Sequence, residues 1–292
     1  MRLNKGLMIS AIALTSVVGL SACADSGAPA PEPTVEEEIS FEAGTTMAEL
    51  NEAGTITIGT KFDQPLFGLI GPDDVPVGFD VEIGKLIAAK LGIAPEDIVW
   101  KEAISKNREP FLQSGEVDLV IATYTINDLR KEVVSFAGPY YEAGQDILVL
   151  EGNPEGIESV EDLAGKNVCS VTGSTSEKNL IAAGAVVLPA AGYSDCLEPL
   201  RTGAVVAVST DNVILAGLAD QNAGEFEVVN NPFTEEPYGI GLALEDDVFR
   251  DWINDVLEES YEDGSWAAAW DATAGTVLDL PEPPAVDRYT RP

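Results

Sequence analysis

Two threonines and an arginine stand close together in Ala122-Thr123-Tyr124-Thr125-Ile126-Asn127-Asp128-Leu129-Arg130. Two hydroxyls and a guanidinium can receive one carboxylate: the planar fork of Arg130 donates twice, and Thr123 and Thr125 add neutral donors. The nine residues also fit a plainer pattern. Thr125-x-x-Asp128 is a helix cap, and Arg130 would then be a solvated surface residue. Two further stretches bear on the choice. Thr172-Gly173-Ser174-Thr175-Ser176-Glu177 contains a capping box, Ser174-x-x-Glu177, whose helix start offers free backbone N–H groups and a positive dipole end to an anion. Gly173 allows the backbone to come close. Ser209-Thr210-Asp211 supplies a carboxylate that either caps a helix or faces an ammonium. Arg130, Thr125 and the Thr175 backbone suit a carboxylate, and Asp211 suits an ammonium beside it. That pair of charges is the α-carbon end of an amino acid.

Each stretch follows an apolar, β-branched run: 117–121, 167–171 and 205–208. Such runs read as buried strands, and open α/β sheets bind ligands at the carboxyl ends of their strands. The flanking sequence alternates. A leading helix over 46–52 precedes a strand over 55–61; an amphipathic helix over 83–91 stops at Gly92; a strand at 98–100 precedes a helix over 108–114. The same grammar returns with strands at 146–150, 167–171, 186–188 and 205–208 and helices at 174–183, 194–201 and 211–220. Alternation of this kind predicts parallel sheets of βαβ units. Phe111-Leu112-Gln113-Ser114-Gly115-Glu116-Val117 and Pro199-Leu200-Arg201-Thr202-Gly203-Ala204-Val205 are alike. The fold class is therefore α/β, with two Rossmann-like lobes rather than one long sheet.

The stretches 139–144 and 233–239 read as extended connections. If 239–244 and a helix over 246–261 return to the first lobe, the chain crosses twice and forms a hinge. Lobe 1 is then 46–140 plus 239–275, and lobe 2 is 141–238. Trp266 and Trp270, one helical turn apart, are expected to anchor the last helix in the core. Residues 276–292 read as an extended tail.

The chain opens with Arg2 and Lys5 before an apolar run that ends in Leu20-Ser21-Ala22-Cys23. The run is short for a membrane span and reads as a signal peptide over 1–22. Small residues before Cys23 match a lipoprotein cleavage box, with Cys23 as the lipidated N-terminus. Residues 23–45, rich in Ala, Pro, Glu and Gly, are expected to be a disordered acidic tether. The formal net charge of −34 makes nucleic acid and anionic lipid poor partners. The sequence has no His, which excludes His-based catalysis and His-ligated metal sites. No metal, cofactor or catalytic residue is assigned. With Cys23 lipidated, Cys169 and Cys196 remain; two exported thiols are expected to pair, and their loop would contribute about 3–4 kcal/mol in the chain-entropy model.

At this point the chain resembles the solute-binding proteins of polar amino acid ABC importers, with the type II periplasmic-binding fold. The resemblance runs from about 47 to 272. It rests on Ile58-Gly59-Thr60-Lys61-Phe62-Asp63-Gln64-Pro65, Gly78-Phe79-Asp80-Val81-Glu82, Thr123-x-Thr125 with Arg130, Phe136-Ala137-Gly138-Pro139-Tyr140-Tyr141, Thr172 to Ser176, and Thr210-Asp211. It implies that Thr123, Thr125 and Arg130 hold an α-carboxylate, with Thr175 and Ser176 from the second lobe. Asp211 would hold the α-ammonium. In glutamine-binding relatives the first strand tip carries an Asp; here it is Lys61, which favours an acidic ligand side chain. Arg108 is a second candidate for that distal carboxylate. An ion pair of Lys61 with Asp63 or Glu82 is the competing possibility. With the lipobox and the cysteine pair, the likeness is greatest to glutamate-binding lipoproteins of actinobacterial type. It implies a monomer on the outer face of the membrane, delivering glutamate, aspartate or glutamine to a permease and its ATPase subunit. Two alternatives stay open. One is an enzyme resembling cyclohexadienyl dehydratases, with Glu142 or Glu236 as proton donor. The other is a lipid-anchored sensor.

Overall fold

The computed structural model describes residues 32–36 and 39–289. The signal segment, Cys23 and the first part of the tether lie outside the described residues. In chain order the elements are α1 (Thr46–Ala53), β1 (Ile56–Thr60), β2 (Asp63–Gln64), β3 (Gly68–Ile70), β4 (Pro76–Val77), α2 (Phe79–Lys90), β5 (Ile98–Glu102), α3 (Arg108–Ser114), β6 (Leu119–Val120), α4 (Asp128–Lys131) and β7 (Ser135–Ala143). Then follow β8 (Gln145–Leu150), β9 (Asn167–Val171), α5 (Thr175–Ala182), β10 (Val186–Ala190), α6 (Leu197–Arg201), β11 (Ala207–Asp211), α7 (Asn212–Gln221), β12 (Phe226–Val228), β13 (Glu236–Leu242), α8 (Asp247–Asp263) and α9 (Ser265–Asp271).

Two five-stranded sheets form, in the orders β5-β1-β6-β13-β7 and β10-β9-β11-β8-β12. Their topology is the same. In each, three parallel strands carry the βαβ units, and the fourth strand runs antiparallel. That fourth strand is the first one laid down after the chain crosses between lobes, β8 on the way out and β13 on the way back. The expectation of parallel sheets is corrected to this extent, because a strand entering directly from the other lobe has no crossover helix to reverse it. A small sheet, β2-β3-β4, was not foreseen.

The stretch 139–144, expected as a connection, is the end of the long strand β7, which pairs with β13 from Ser135↔Leu242 to Ala143↔Glu236. These two strands are the hinge. They are held to the first lobe by a wedge of rings. Tyr141 stacks on Trp270 at 5.1 Å, Trp270 on Trp266 at 6.2 Å, and Phe67 meets Tyr238 edge-on at 6.0 Å. Trp266 Nε1 donates to the Tyr140 carbonyl, 3.0 Å. Both tryptophans are buried, as expected from their spacing. Each buries a large apolar area at the root of the paired hinge strands.

The tether reading is corrected at its end. Glu36 N–H donates to the Ala89 carbonyl (3.1 Å), its carboxylate meets Lys90 (2.9 Å), and Phe41 packs edge-on against Trp252. The tail is extended but not free. Asp287 N–H donates to the Gly138 carbonyl (2.7 Å), and the Tyr289 hydroxyl accepts from Phe136 N–H (3.0 Å). Arg288 pairs with Asp255 and Glu258 of α8. No helix among the described residues is long and apolar enough to cross a membrane.

Candidate functional site

The carboxyl ends of β1, β6, β9 and β11 converge on one small cavity between the lobes. Gln64, Ser105, Arg108, Thr123 and Thr125 line it from the first lobe, and Ser174, Thr175, Ser176, Tyr193, Thr210, Asp211 and Ile214 from the second. The lobes meet around it. Arg130 Nη2 donates to the Gly173 carbonyl (3.4 Å), and the Thr125 and Thr175 hydroxyls are 3.5 Å apart. A Cβ at Gly173 would lie 2.9 Å from Lys106 Cα, so the close approach that this glycine permits is between lobes.

The helix-cap reading of the first stretch fails on geometry. Asn127, not Thr125, caps α4, accepting Arg130 N–H at 3.0 Å. Arg130 is 5 % exposed, not a surface residue. Its Nη1 donates to the Thr125 carbonyl (2.7 Å) and its Nε to Glu109 (3.0 Å). Arg108 is equally buried, with Nε on the Ser105 carbonyl and Nη1 on the carbonyls of Ala122 and Thr123. Both guanidiniums lie over the Tyr124 ring, at 4.3 and 4.8 Å. Arg108 forms part of the cavity wall, whereas Arg130 stands behind it, across Thr125. Burial, then the charge of Arg130, pulls Arg108 down to about 10.

Lys61 also stands behind the wall, with Nζ on the Ser105 hydroxyl at 2.9 Å. Neither ion pair expected for it forms. Glu82 pairs with Lys85 (2.8 Å), and Asp63 turns to the Tyr193 amide (2.7 Å). Burial, and next the charge of Arg108, lower Lys61 to about 7. Three buried cations thus lie in or behind the first-lobe wall of the cavity. Asp211, in the wall from the second lobe, occupies the N-cap position of α7, but its side chain caps nothing. Oδ2 accepts the Tyr238 hydroxyl at 2.6 Å, and Oδ1 has no partner among the described residues. Burial, then the charge of Glu236, pushes Asp211 up to about 7. An unpartnered buried carboxylate oxygen costs free energy until a cation meets it.

Thr123 and Ser176 both line the cavity. The Thr123 hydroxyl bonds Gln64 Oε1 (2.9 Å) and the Ala122 carbonyl (2.8 Å). Ser176 shares its hydroxyl with Thr210 at 3.2 Å. Other residues were missed. Asp80 accepts Thr123 N–H (2.8 Å) and the Tyr140 hydroxyl (2.6 Å), tying the loop at Thr123 to the hinge. It holds Thr123 at φ 44°, a backbone region unusual for a branched residue. Burial raises Asp80 to about 7. Asp80 lies inside Gly78-Phe79-Asp80-Val81-Glu82, one of the motifs that carry the resemblance, and that is its signal in the sequence. Glu236, at the start of β13, accepts Thr175 (2.8 Å), Thr234 (3.0 Å) and Asn179 (3.3 Å). It is a connector between α5 and the hinge, and Glu142 is exposed. Cys169 and Cys196 form the expected disulfide, which fixes the turn carrying Tyr193 to β9.

Two sheets of one topology, joined by two adjacent strands and shut on a charged cavity, define a hinged binding protein of the periplasmic type. The chain belongs to the bacterial extracellular solute-binding proteins, family 3, whose pattern spans residues 56–272. It is 39 % identical over 266 residues to the glutamate-binding protein of Corynebacterium efficiens, covering 87 % of this chain and 85 % of that one. The glutamine-binding protein of an ABC transporter of Bacillus subtilis is 36 % identical over 269 residues, covering 90 % and 95 %. Among solved structures, an ancestral arginine-binding protein bound to glutamine matches with TM-score 0.69 and 38 % identity, over 75 % of this chain and 96 % of that chain.

Proposed function

We propose that the protein is a lipid-anchored, extracytoplasmic receptor that closes on L-glutamate and presents it to the permease and ATPase subunits of an ABC importer. The observation that carries this reading is the charge arrangement: Arg108 in the cavity wall with Lys61 and Arg130 buried behind it, and the unpartnered Oδ1 of Asp211 in the wall from the second lobe. Thr125, Arg130 and the start of α5 hold the α-carboxylate, and Asp211 the ammonium. Arg108 in the wall, with Lys61 behind Ser105, supplies positive charge to the distal carboxylate, which sets glutamate ahead of glutamine. Cys23 is lipidated and the protein works as a monomer. The identities to glutamate- and glutamine-binding proteins support the ligand class.

A thermal-shift screen over the twenty amino acids tests the ligand, since a ligand that binds only the folded state raises its stability by mass action. The largest shift is expected for glutamate. A response to glutamine with none to glutamate rejects the assignment of Lys61 and Arg108. Metabolic labelling with a fatty acid, compared with a Cys23→Ser variant, tests the anchor.

A further inference from the structure

Asp63 follows Lys61 by two residues, and Lys61 is a buried cation whose hydrogen bond goes to Ser105. An ion pair between them would be the ordinary outcome. Asp63 instead points across the cleft. Its Oδ2 accepts the Tyr193 N–H at 2.7 Å and lies 3.5 Å from the Ser194 nitrogen, both in the second lobe. The fit is tight: a Cβ at Gly192 would lie 2.4 Å from that same oxygen. Two residues further on, the Pro65 carbonyl approaches α7 where a Cβ at Gly217 would lie 2.6 Å away. The receiving turn is stapled by the Cys169–Cys196 disulfide. Asp63 is absent from the cavity wall, whereas its neighbour Gln64 and its partner Tyr193 are both part of it.

We propose that Asp63 is a closure latch: a positioning residue that touches no ligand atom and holds the lobes shut once the cavity is filled. The inference rests on the amino acid receptor reading above. A carboxylate on backbone N–H groups forms charge-assisted bonds that exist only when the lobes meet, and opening exchanges them for water. Because the bonds are absent from the open state, they act on release rather than on encounter. Because the donors are backbone amides, the latch is indifferent to which amino acid is bound. Asp63 therefore sets how long a ligand stays, and the cavity wall sets which ligand it is.

The test is stopped-flow release of glutamate, or of whichever amino acid the thermal screen identifies, from wild type, Asp63→Ala and Asp63→Asn. Release is expected to quicken about tenfold in Asp63→Ala. Asp63→Asn, which keeps an acceptor oxygen, should recover part of it. The ranking of glutamate, aspartate and glutamine and the melting temperature of the ligand-free protein should stay in place. An unchanged release rate overturns the latch, and so does a changed ranking, which would make Asp63 a ligand residue. Hydrogen exchange of the ligand-loaded protein gives a readout independent of the release rate. Amides 193 and 194 should lose protection in Asp63→Ala when the same ligand is bound at saturation, and retained protection overturns the proposal. Failure of the receptor reading shows separately, as the absence of any amino acid that shifts the wild type.

Discussion

Affinity for glutamate is expected to pass through a maximum near neutral pH, and the two limbs come from different residues. Lys61 is lowered from 10.5 to about 7, mainly by burial; it faces Arg108, Arg130, Asp63 and Asp80. Asp211 is raised from 3.8 to about 7, again mainly by burial; it faces Glu236, Tyr238, Arg108 and Arg130. A ligand carboxylate near Lys61 favours its charged form, so binding takes up a proton where Lys61 is neutral, above about pH 7. A ligand ammonium beside Asp211 favours the carboxylate, so binding releases a proton where Asp211 is protonated, below about pH 7. Each limb approaches a tenfold loss of affinity per pH unit. Calorimetric titration in two buffers of different ionisation enthalpy should show net release near pH 6, balance near pH 7 and net uptake near pH 8. Lys61→Met should remove the alkaline limb and leave the acid one. Affinity that is flat across this range, or heats that do not depend on the buffer, would refute the reasoning. Stability of the free protein follows the same groups. Asp80 and Asp211 hold their protons better folded than unfolded, so their contribution falls as pH rises from about 4 to 7. Lys61 holds its proton less well when folded, so its contribution rises with pH from about 7 to 10. All three are least favourable near neutrality, where the ligand-induced rise in melting temperature should be largest.

Arg130→Ala should weaken glutamate binding by roughly 2–5 kcal/mol, since a buried carboxylate loses its charged partner; titration heats like those of the wild type would remove Arg130 from the site. The same variant frees the Thr125 carbonyl and Glu109 from their guanidinium, and denaturant melts should show a loss of about 1–3 kcal/mol. Lys61→Asp should turn preference away from acidic ligands, read as the ratio of glutamate to glutamine affinity; if glutamate still leads, Arg108 reads the side chain. Reduction of the Cys169–Cys196 disulfide should cost about 2–5 kcal/mol in unfolding by denaturant, and a midpoint unmoved by reductant would contradict its structural role.

The strand tips were legible because burial imposes composition: runs such as 117–121 and 205–208 are β-branched and stop abruptly at polar residues. The two-lobe plan was legible for the same reason, repeated. What local pattern could not show was pairing. Residues 139–144 resemble a connection because Pro and Gly interrupt them, yet β13 supplies the partner that makes β7 a strand. Whether Asp211 capped its helix could not be decided from Thr210-Asp211, because the Tyr238 hydroxyl that draws the side chain away comes from another element. Lys61 and Asp63 are neighbours in sequence, and only the meeting of the lobes separates their side chains. The roles of Tyr193 and Glu236 depend on contacts between elements far apart in the chain.

The extended tail has one further consequence. In its sheet β7 is the last strand, and its outer row of backbone groups has no strand beside it. An edge of this kind is a template on which a second molecule can add a strand. Here the Gly138 carbonyl is taken by Asp287, and the Phe136 amide by the Tyr289 hydroxyl. The ring of Tyr289 is itself held between Lys131, 4.2 Å away, and Arg250, 4.7 Å away. Asp287 and Tyr289 lie beyond the span 56–272 matched by the family pattern. The tail thus occupies, at Phe136 and Gly138, backbone groups of the β7 edge that would otherwise face outward for a further strand.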